Sequence, residues 1–123
     1  MTRLRVLFVC GRNQWRSPTA EKIFSRRPEL EVRSRGFSAK SSRVLKAADI
    51  QWAELIFVME REHAHRLRSK FRDVLKGKIV SVLQIPDRYR FMDPELVDLL
   101  ETKAGQILQA YFDSDDPVDD DFF

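Results

Sequence analysis

The residue with the clearest chemical potential is Cys10, the only cysteine in the 123-residue chain. It ends a hydrophobic run, residues 4–9, that predicts a buried strand. A polar loop over residues 11–17 follows, and Pro18 then suits the first turn of a helix. Arg16 stands six positions after the cysteine. A thiol between a strand and a helix start, with an arginine across the loop, can bind an oxyanion above a nucleophilic sulfur.

This loop supplies what a reactive cysteine needs. A free thiol is mostly protonated at neutral pH and is then a poor nucleophile. Positive charge from the helix N-terminus, Arg12 and Arg16 favours the thiolate, and Ser17 adds a hydroxyl donor. The same backbone donors can surround a phosphoryl group, whose oxygens a guanidinium binds in pairs. We therefore predict a phosphate-binding loop formed by Gly11, Arg12, Asn13, Gln14, Trp15 and Ser17.

An acid must protonate the leaving oxygen when the sulfur attacks phosphorus. Asp87 is the candidate, because it follows Pro86 after the last predicted strand and should reach the same rim of the sheet. Pro-Asp is also a turn dipeptide, so a purely structural role for Asp87 stays open. Asp93 is the rival acid, but its place before Pro94 favours a helix N-cap instead.

Three further side chains have two explanations each. Tyr89 suits the wall of an aromatic substrate pocket and a core position equally well. His63 and His65 fall on different faces of one helix, so we expect solvated positions rather than a metal pair. No metal and no other cofactor is predicted.

The hydrophobic pattern predicts alternating strands and helices. The predicted strands cover residues 3–9, 30–34, 54–59 and 78–83, and the predicted helices cover 17–26, 42–50, 61–71 and 93–111. The strand at 30–34 alternates and suits a sheet edge, whereas 54–59 is continuously apolar and suits the centre. This order predicts an α/β fold with a parallel sheet covered on both faces. Ligands of such sheets bind at the carboxyl ends of strands, where Cys10 lies.

Charge divides the chain into two parts. Residues 1–112 hold 22 basic and 13 acidic side chains and form one predicted domain, whereas residues 113–123 hold six aspartates and form an acidic, flexible tail. The basic domain favours anionic partners. Its basic helix at 61–71 is most simply a solvated face, so nucleic-acid binding is not favoured.

No membrane span or signal peptide is evident, and we expect a cytoplasmic protein without a membrane partner.

Several segments resemble the low-molecular-weight protein tyrosine phosphatases. The strongest similarity lies in residues 6–10, Asn13 and residues 16–21. Weaker similarity lies in segments 32–36, 53–59 and 85–89. The resemblance implies a three-layer α/β/α fold of the phosphotyrosine protein phosphatase I type, with a central parallel four-stranded sheet. It covers residues 3–112 and is nearest to a short bacterial branch of the family.

The resemblance also implies roles for individual residues. Cys10 would carry a cysteinyl-phosphate intermediate, Arg16 would clamp the phosphate, and Asp87 would act as acid and then as base. Asn13 and Ser17 would shape the loop and the thiolate. No metal is implied.

The chain departs from the family pattern near the sulfur. Arg12 stands where the family has a glycine, which would permit a positive φ, so a different loop geometry is expected. Trp15 replaces a second cysteine, and Arg88 replaces a proline. The segment between Gly36 and Ala53 is shorter than usual.

These features favour a phosphatase that hydrolyses phosphotyrosine or other aryl phosphate monoesters, on a phosphorylated protein or a small molecule. One alternative is arsenate reduction, which would need an external thiol because the chain has no second cysteine. Another is a phosphate- or RNA-binding module with little catalysis. The oligomeric state is left open.

Overall fold

The computed structural model describes residues 3–113, in which four strands alternate with four helices. The predicted acidic tail lies outside the described residues from position 114 onward. The elements are β1 (Leu4–Cys10), α1 (Arg16–Phe24), β2 (Leu30–Gly36), α2 (Ala47–Trp52), β3 (Leu55–Val58), α3 (Arg61–Lys70), β4 (Ile79–Val82) and α4 (Pro94–Asp113). The predicted alternation of strands and helices is confirmed.

The strands form one parallel sheet in the order β2-β1-β3-β4. In its register, Val6 of β1 lies between Val32 of β2 and Leu55 of β3. The predictions of an edge strand at 30–34 and a central strand at 54–59 are both confirmed. The chain adds β2 on one side of β1 and then adds β3 on the other side. The carboxyl ends of β1 and β3 therefore flank the crevice in which folds of this kind bind ligands.

Two hydrophobic cores lie on opposite faces of the sheet. Val6 and Phe8 of β1 point into one core, which α1 and α4 cover, while Leu7 and Val9 point into the other, which α2 and α3 cover. This alternation follows from the two-residue period of a strand. The arrangement is the predicted three-layer α/β/α architecture. Among the described residues, no helix is both long and apolar enough to span a membrane.

Aromatic packing fixes α1 against the sheet. The ring of Phe8 stacks between those of Phe24 and Phe57, with centroid distances of 5.5 Å and 5.1 Å. All three side chains are almost fully buried, and truncating such a residue to alanine typically costs about 3–5 kcal/mol. Because α1 is held in this way, its N-terminus stays close to the end of β1.

The predicted helix at 42–50 is wrong over its first half. The helix in this region is α2, which starts at Ala47. Val44 instead forms a parallel bridge with Gly36, supported by a hydrogen bond from Leu45 N to Gly36 O at 2.8 Å. This backbone pairing extends β2 and overrides the helical pattern. It also draws the 37–46 segment over the carboxyl edge of the sheet.

Candidate active site

Cys10 lies at the carboxyl end of β1 with its side chain buried. Its Sγ accepts a hydrogen bond from the backbone N–H of Asn13 at 3.2 Å and lies 2.9 Å from Ser17 Oγ. An ionised sulfur can only accept, so the Ser17 hydroxyl is the donor to a thiolate. Trp15 holds the N-cap position without a side-chain cap bond, and the Ser17 hydroxyl faces the sulfur instead.

Asn13 shapes the loop through its backbone and its amide. Its φ of 52° lies in the left-handed region, which asparagine tolerates better than most residues. Its Nδ2 donates to Ser17 Oγ and to Ser34 Oγ, each at 3.0 Å. Arg12 does not adopt a positive φ, so the loop accommodates it without the backbone freedom of a glycine.

The hydrogen bonds of Asn13 continue to the surface. Ser34 donates to Glu21 Oε1 at 2.6 Å, and the same carboxylate oxygen pairs with Arg43 at 2.8 Å. A polar chain thus runs from exposed Arg43 to the buried sulfur. Linked bonds of this kind stiffen a buried site when their members are paired. The sequence gives Ser34 no distinguishing signal, because a single serine in an edge strand is common.

Gly36 permits close contact between β2 and the loop. A Cβ at this position would lie 2.6 Å from Asn13 N and 2.7 Å from the Arg12 carbonyl carbon, and it would also overlap Ser41 Oγ. These distances are too short for any side chain. The glycine that resembles the family pattern is therefore needed for packing against the loop backbone.

Arg16 is buried at the start of α1 and held from two sides. Its Nη1 donates to Glu60 Oε1 at 3.0 Å and to the carbonyl of Ile85 at 2.7 Å. Its Nε lies 3.7 Å from Asp87 Oδ1. Sequence reasoning missed Glu60. A usable signal existed, since Glu60 follows β3 at the same carboxyl edge as Cys10.

His63 supports Glu60 from α3. It is buried, so the prediction of a solvated position is wrong for this residue. Its Nδ1 accepts from Glu60 N at 3.2 Å, and its Nε2 lies 3.4 Å from Glu60 Oε1. Burial, and then the positive charge of Arg16, lower the pKa of His63 below its usual value. Because Nδ1 accepts the Glu60 N–H, the neutral imidazole carries its proton on Nε2, which faces the Glu60 carboxylate.

The loop after β4 carries the two candidate acids to different places. Asp87 lies beside Arg16, with a side chain that is 61% exposed. Asp93 is a helix cap, as predicted, because its Oδ1 accepts from Glu95 N at 2.9 Å.

Tyr89 lies in the core, where its hydroxyl donates to Glu95 Oε2 at 3.1 Å. Of its two explanations, the core position is the one the structure shows.

A cavity of about 350 Å³ opens above the sulfur. Its lining brings together the three predicted catalytic residues with three side chains of the loop: Cys10, Arg16, Asp87, Arg12, Gln14 and Trp15. Asn13 and Ser17 lie behind this lining as buried supports, and the Gly11 carbonyl accepts from Ser38 N at 2.8 Å. A thiol, a guanidinium and a carboxylate thus meet at one cavity.

Comparison with solved structures identifies the same architecture elsewhere. A protein tyrosine phosphatase is similar with 28% identity and a TM-score of 0.70, covering 89% of this chain and 96% of its own. The low-molecular-weight protein tyrosine phosphatase from Streptococcus pyogenes is similar with 19% identity and a TM-score of 0.72, covering 87% and 92%. The YwlE arginine phosphatase from Geobacillus stearothermophilus is similar with 21% identity and a TM-score of 0.64, covering 90% and 97%. No protein-family model and no curated protein sequence matches the chain.

Fold and comparison agree on the architecture of the protein. The parallel α/β/α sandwich of this chain is shared by solved structures named as protein tyrosine phosphatases. The chain shares its fold with solved structures that include the low-molecular-weight protein tyrosine phosphatase from Streptococcus pyogenes. The predicted fold is confirmed.

Proposed function

We propose that this protein hydrolyses aryl phosphate monoesters, with phosphotyrosine as the leading class, through a phosphate covalently bound to Cys10. The observation that carries the proposal is the position of Cys10 Sγ at the 350 Å³ cavity, beside the guanidinium of Arg16 and the carboxylate of Asp87. The donors to the sulfur support the same role, because the Asn13 N–H and the Ser17 hydroxyl both stabilise a thiolate.

The first step transfers the phosphoryl group to sulfur. The Cys10 thiolate attacks phosphorus, the S–P bond forms, and the ester P–O bond breaks. Asp87 in its acid form gives its proton to the leaving oxygen, so that a neutral phenol departs. The Nη1 of Arg16 is bound to Glu60 and Ile85, and its remaining N–H groups are the donors for phosphoryl oxygens, on which negative charge builds.

The second step regenerates the thiolate. The Asp87 carboxylate takes a proton from water as the water oxygen attacks phosphorus. The S–P bond breaks, inorganic phosphate forms, and the electron pair returns to Cys10. The contact between Asp87 Oδ1 and Arg16 Nε, at 3.7 Å, supports this role because it places the acid beside the phosphate clamp. This two-step route uses only side chains and water.

The cavity favours a flat aromatic leaving group. Trp15 lines it from the loop and offers an indole face for a phenyl ring. One similar protein is named an arginine phosphatase, so phosphoarginine is the substrate to compare with phosphotyrosine. Arsenate reduction within the chain would need two further cysteines for a disulfide relay, and the sequence contains only Cys10.

The decisive experiment traps the covalent intermediate. Asp87→Ala should slow both the release of the phenol and the release of phosphate. The leaving group of para-nitrophenyl phosphate needs little protonation, so with this substrate the first step still proceeds and phosphocysteine should accumulate on Cys10. Mass spectrometry after rapid quenching should detect this intermediate. Cys10→Ser should show neither turnover nor label, and Asp93→Ala, which removes only a helix cap, should turn over like the unchanged protein. Phosphate binding without turnover or label would favour the binding-module alternative and contradict the proposal.

Phosphotyrosine and phosphoarginine peptides of one sequence then rank the substrates by kcat/KM. A higher value for phosphotyrosine supports the proposed substrate class. A higher value for phosphoarginine would retain the chemistry and contradict the assignment of substrate.

A further inference from the structure

A second, smaller cavity opens beside the active-site cavity. It has a volume of about 190 Å³ and is lined by Arg12, Gln14, Lys40 and Ser42. Arg12 and Gln14 also line the cavity above Cys10, so the two spaces share a wall. We call the smaller space the side cavity. Among residues 3–113, no acidic side chain lines it.

The two cations of the side cavity are exposed and have no carboxylate partner among residues 3–113. Neighbouring arginines differ in this respect. Arg33 and Arg35 both pair with Asp49, and Arg43 pairs with Glu21. Unlike these three arginines, Arg12 and Lys40 keep their charge free at the side cavity, which is an electrostatic arrangement suited to an anion subsite.

Backbone hydrogen bonds hold Lys40 near the loop. Phe37 N donates to Cys10 O at 3.1 Å, and Ser38 N donates to Gly11 O at 2.8 Å. The turn that follows is closed by a bond from Lys40 N to Ser38 Oγ at 3.1 Å. The 37–42 segment is therefore tied to the phosphate-binding loop itself, which keeps the backbone of Lys40 beside that loop.

We propose that the side cavity binds the carboxylate of an acidic residue that flanks the phosphorylated residue of a peptide substrate. The inference rests on the proposed phosphatase function and narrows its substrate class to acidic phosphopeptides. Arg12 gives the subsite its planar guanidinium, which suits a carboxylate, and Lys40 adds a flexible point charge. The position of Arg12, where the family pattern has a glycine, makes the subsite a property of this chain.

Because both cations are exposed, their effect on binding should be moderate and sensitive to salt. Exposed ion pairs at a rim contribute little individually and are screened at high ionic strength. Two pairs acting on one substrate should give roughly a five- to tenfold preference in kcat/KM at low salt. The preference should shrink when the sodium chloride concentration rises from about 0.05 M to about 0.5 M.

The test compares two phosphotyrosine peptides of equal length, one flanked by glutamates and one by glutamines. The readout is the ratio of their kcat/KM values, which removes any change in the chemical step common to both peptides. Lys40→Gln and Arg12→Gln should each lower the ratio, and the double variant should bring it near one. Lys76→Gln removes the same charge from an exposed position beyond the side cavity and should leave the ratio unchanged.

Each outcome decides between the subsite and its alternatives. Turnover of both peptides with no preference, or a preference that survives the double variant, would overturn the subsite while the phosphatase proposal stands. An equal loss in Lys76→Gln would show that the overall positive charge of the domain, and not the side cavity, selects acidic peptides. Absence of turnover with every peptide and with para-nitrophenyl phosphate would instead refute the proposed function itself.

Discussion

Arg16 and Glu60 are 44 residues apart in the sequence, and their side chains meet at 3.0 Å between Nη1 and Oε1. The Ile85 carbonyl accepts from the same nitrogen at 2.7 Å. One end of the guanidinium is therefore fixed before any substrate arrives. Such preorganisation strengthens electrostatic stabilisation, because no donor has to reorient as the transition state forms.

Replacing Glu60 tests this orientation. Glu60→Gln keeps the shape and one acceptor but removes the charge that holds Arg16 Nη1. Hydrogen bonds to charged groups contribute about 1.5–3 kcal/mol, so we expect kcat/KM for para-nitrophenyl phosphate to fall by at least about tenfold. Steady-state kinetics measure the effect. Glu62→Gln, on an exposed position in the first turn of α3, is the matched control, and equal kcat/KM for the two variants would contradict the role of Glu60.

Ser17 provides a second test, directed at the sulfur. Ser17→Ala removes the hydroxyl 2.9 Å from Cys10 Sγ and leaves Asn13 Nδ2 with one acceptor fewer. Because the thiolate loses a donor, alkylation of Cys10 by iodoacetamide at pH 6 should slow by about tenfold. Mass spectrometry at fixed times gives the rate. Ser69→Ala, an exposed serine on α3, should react like the unchanged protein.

The fold could be predicted from the sequence because each strand has a strong hydrophobic pattern. Most of β1 and all of Leu55–Val58 are buried, and the continuous apolar character of the run at 54–59 correctly predicted its place in the sheet centre. The segment at 42–46 was mispredicted for a physical reason. Its conformation is decided by the bridge between Val44 and Gly36, a contact with a distant strand that local pattern does not contain.

Site residues that lie close together in the sequence could be predicted, and those that come from distant segments could not. Cys10 and Arg16 belong to one short loop, and their spacing carries the signal. Glu60 and His63 act on that loop from across the sheet, so only the topology brings them there. His63 is buried because α3 packs against the sheet. The charged residues beside it in the sequence do not predict this burial.

Gly36 and Gly105 should respond oppositely to the same substitution. Gly36→Ala places a Cβ 2.6 Å from Asn13 N, so the loop must move and both stability and turnover should fall sharply. Gly105 lies within α4 with open space around its Cα, so Gly105→Ala should raise the free energy of unfolding by roughly 0.5–1 kcal/mol. Urea denaturation measures both. Destabilisation of similar size in the two variants would contradict the close approach at Gly36.

His63 should make the stability of the protein depend on pH. Its pKa is lowered in the folded state, chiefly by burial and then by the positive charge of Arg16, with a smaller contribution from Arg66. The negative charges of Glu60 and Glu62 raise the pKa, but they do not cancel this lowering. The unfolded chain therefore binds more protons on this residue than the folded chain as pH falls below about 6.5. Folding stability is lost in that window, with a slope of at most about 1.4 kcal/mol per pH unit.

His63→Gln removes the titrating group and keeps a hydrogen-bonding side chain of similar length. The free energy of unfolding, measured in urea between pH 5 and pH 8, should fall less steeply towards acid in this variant than in the unchanged protein. Because carboxylates titrate in both proteins, the difference between the two curves isolates the contribution of His63. His65→Gln, at an exposed position of the same helix, should keep the original slope. Parallel curves for the unchanged protein and His63→Gln would show that the buried imidazole is not the source of the pH dependence.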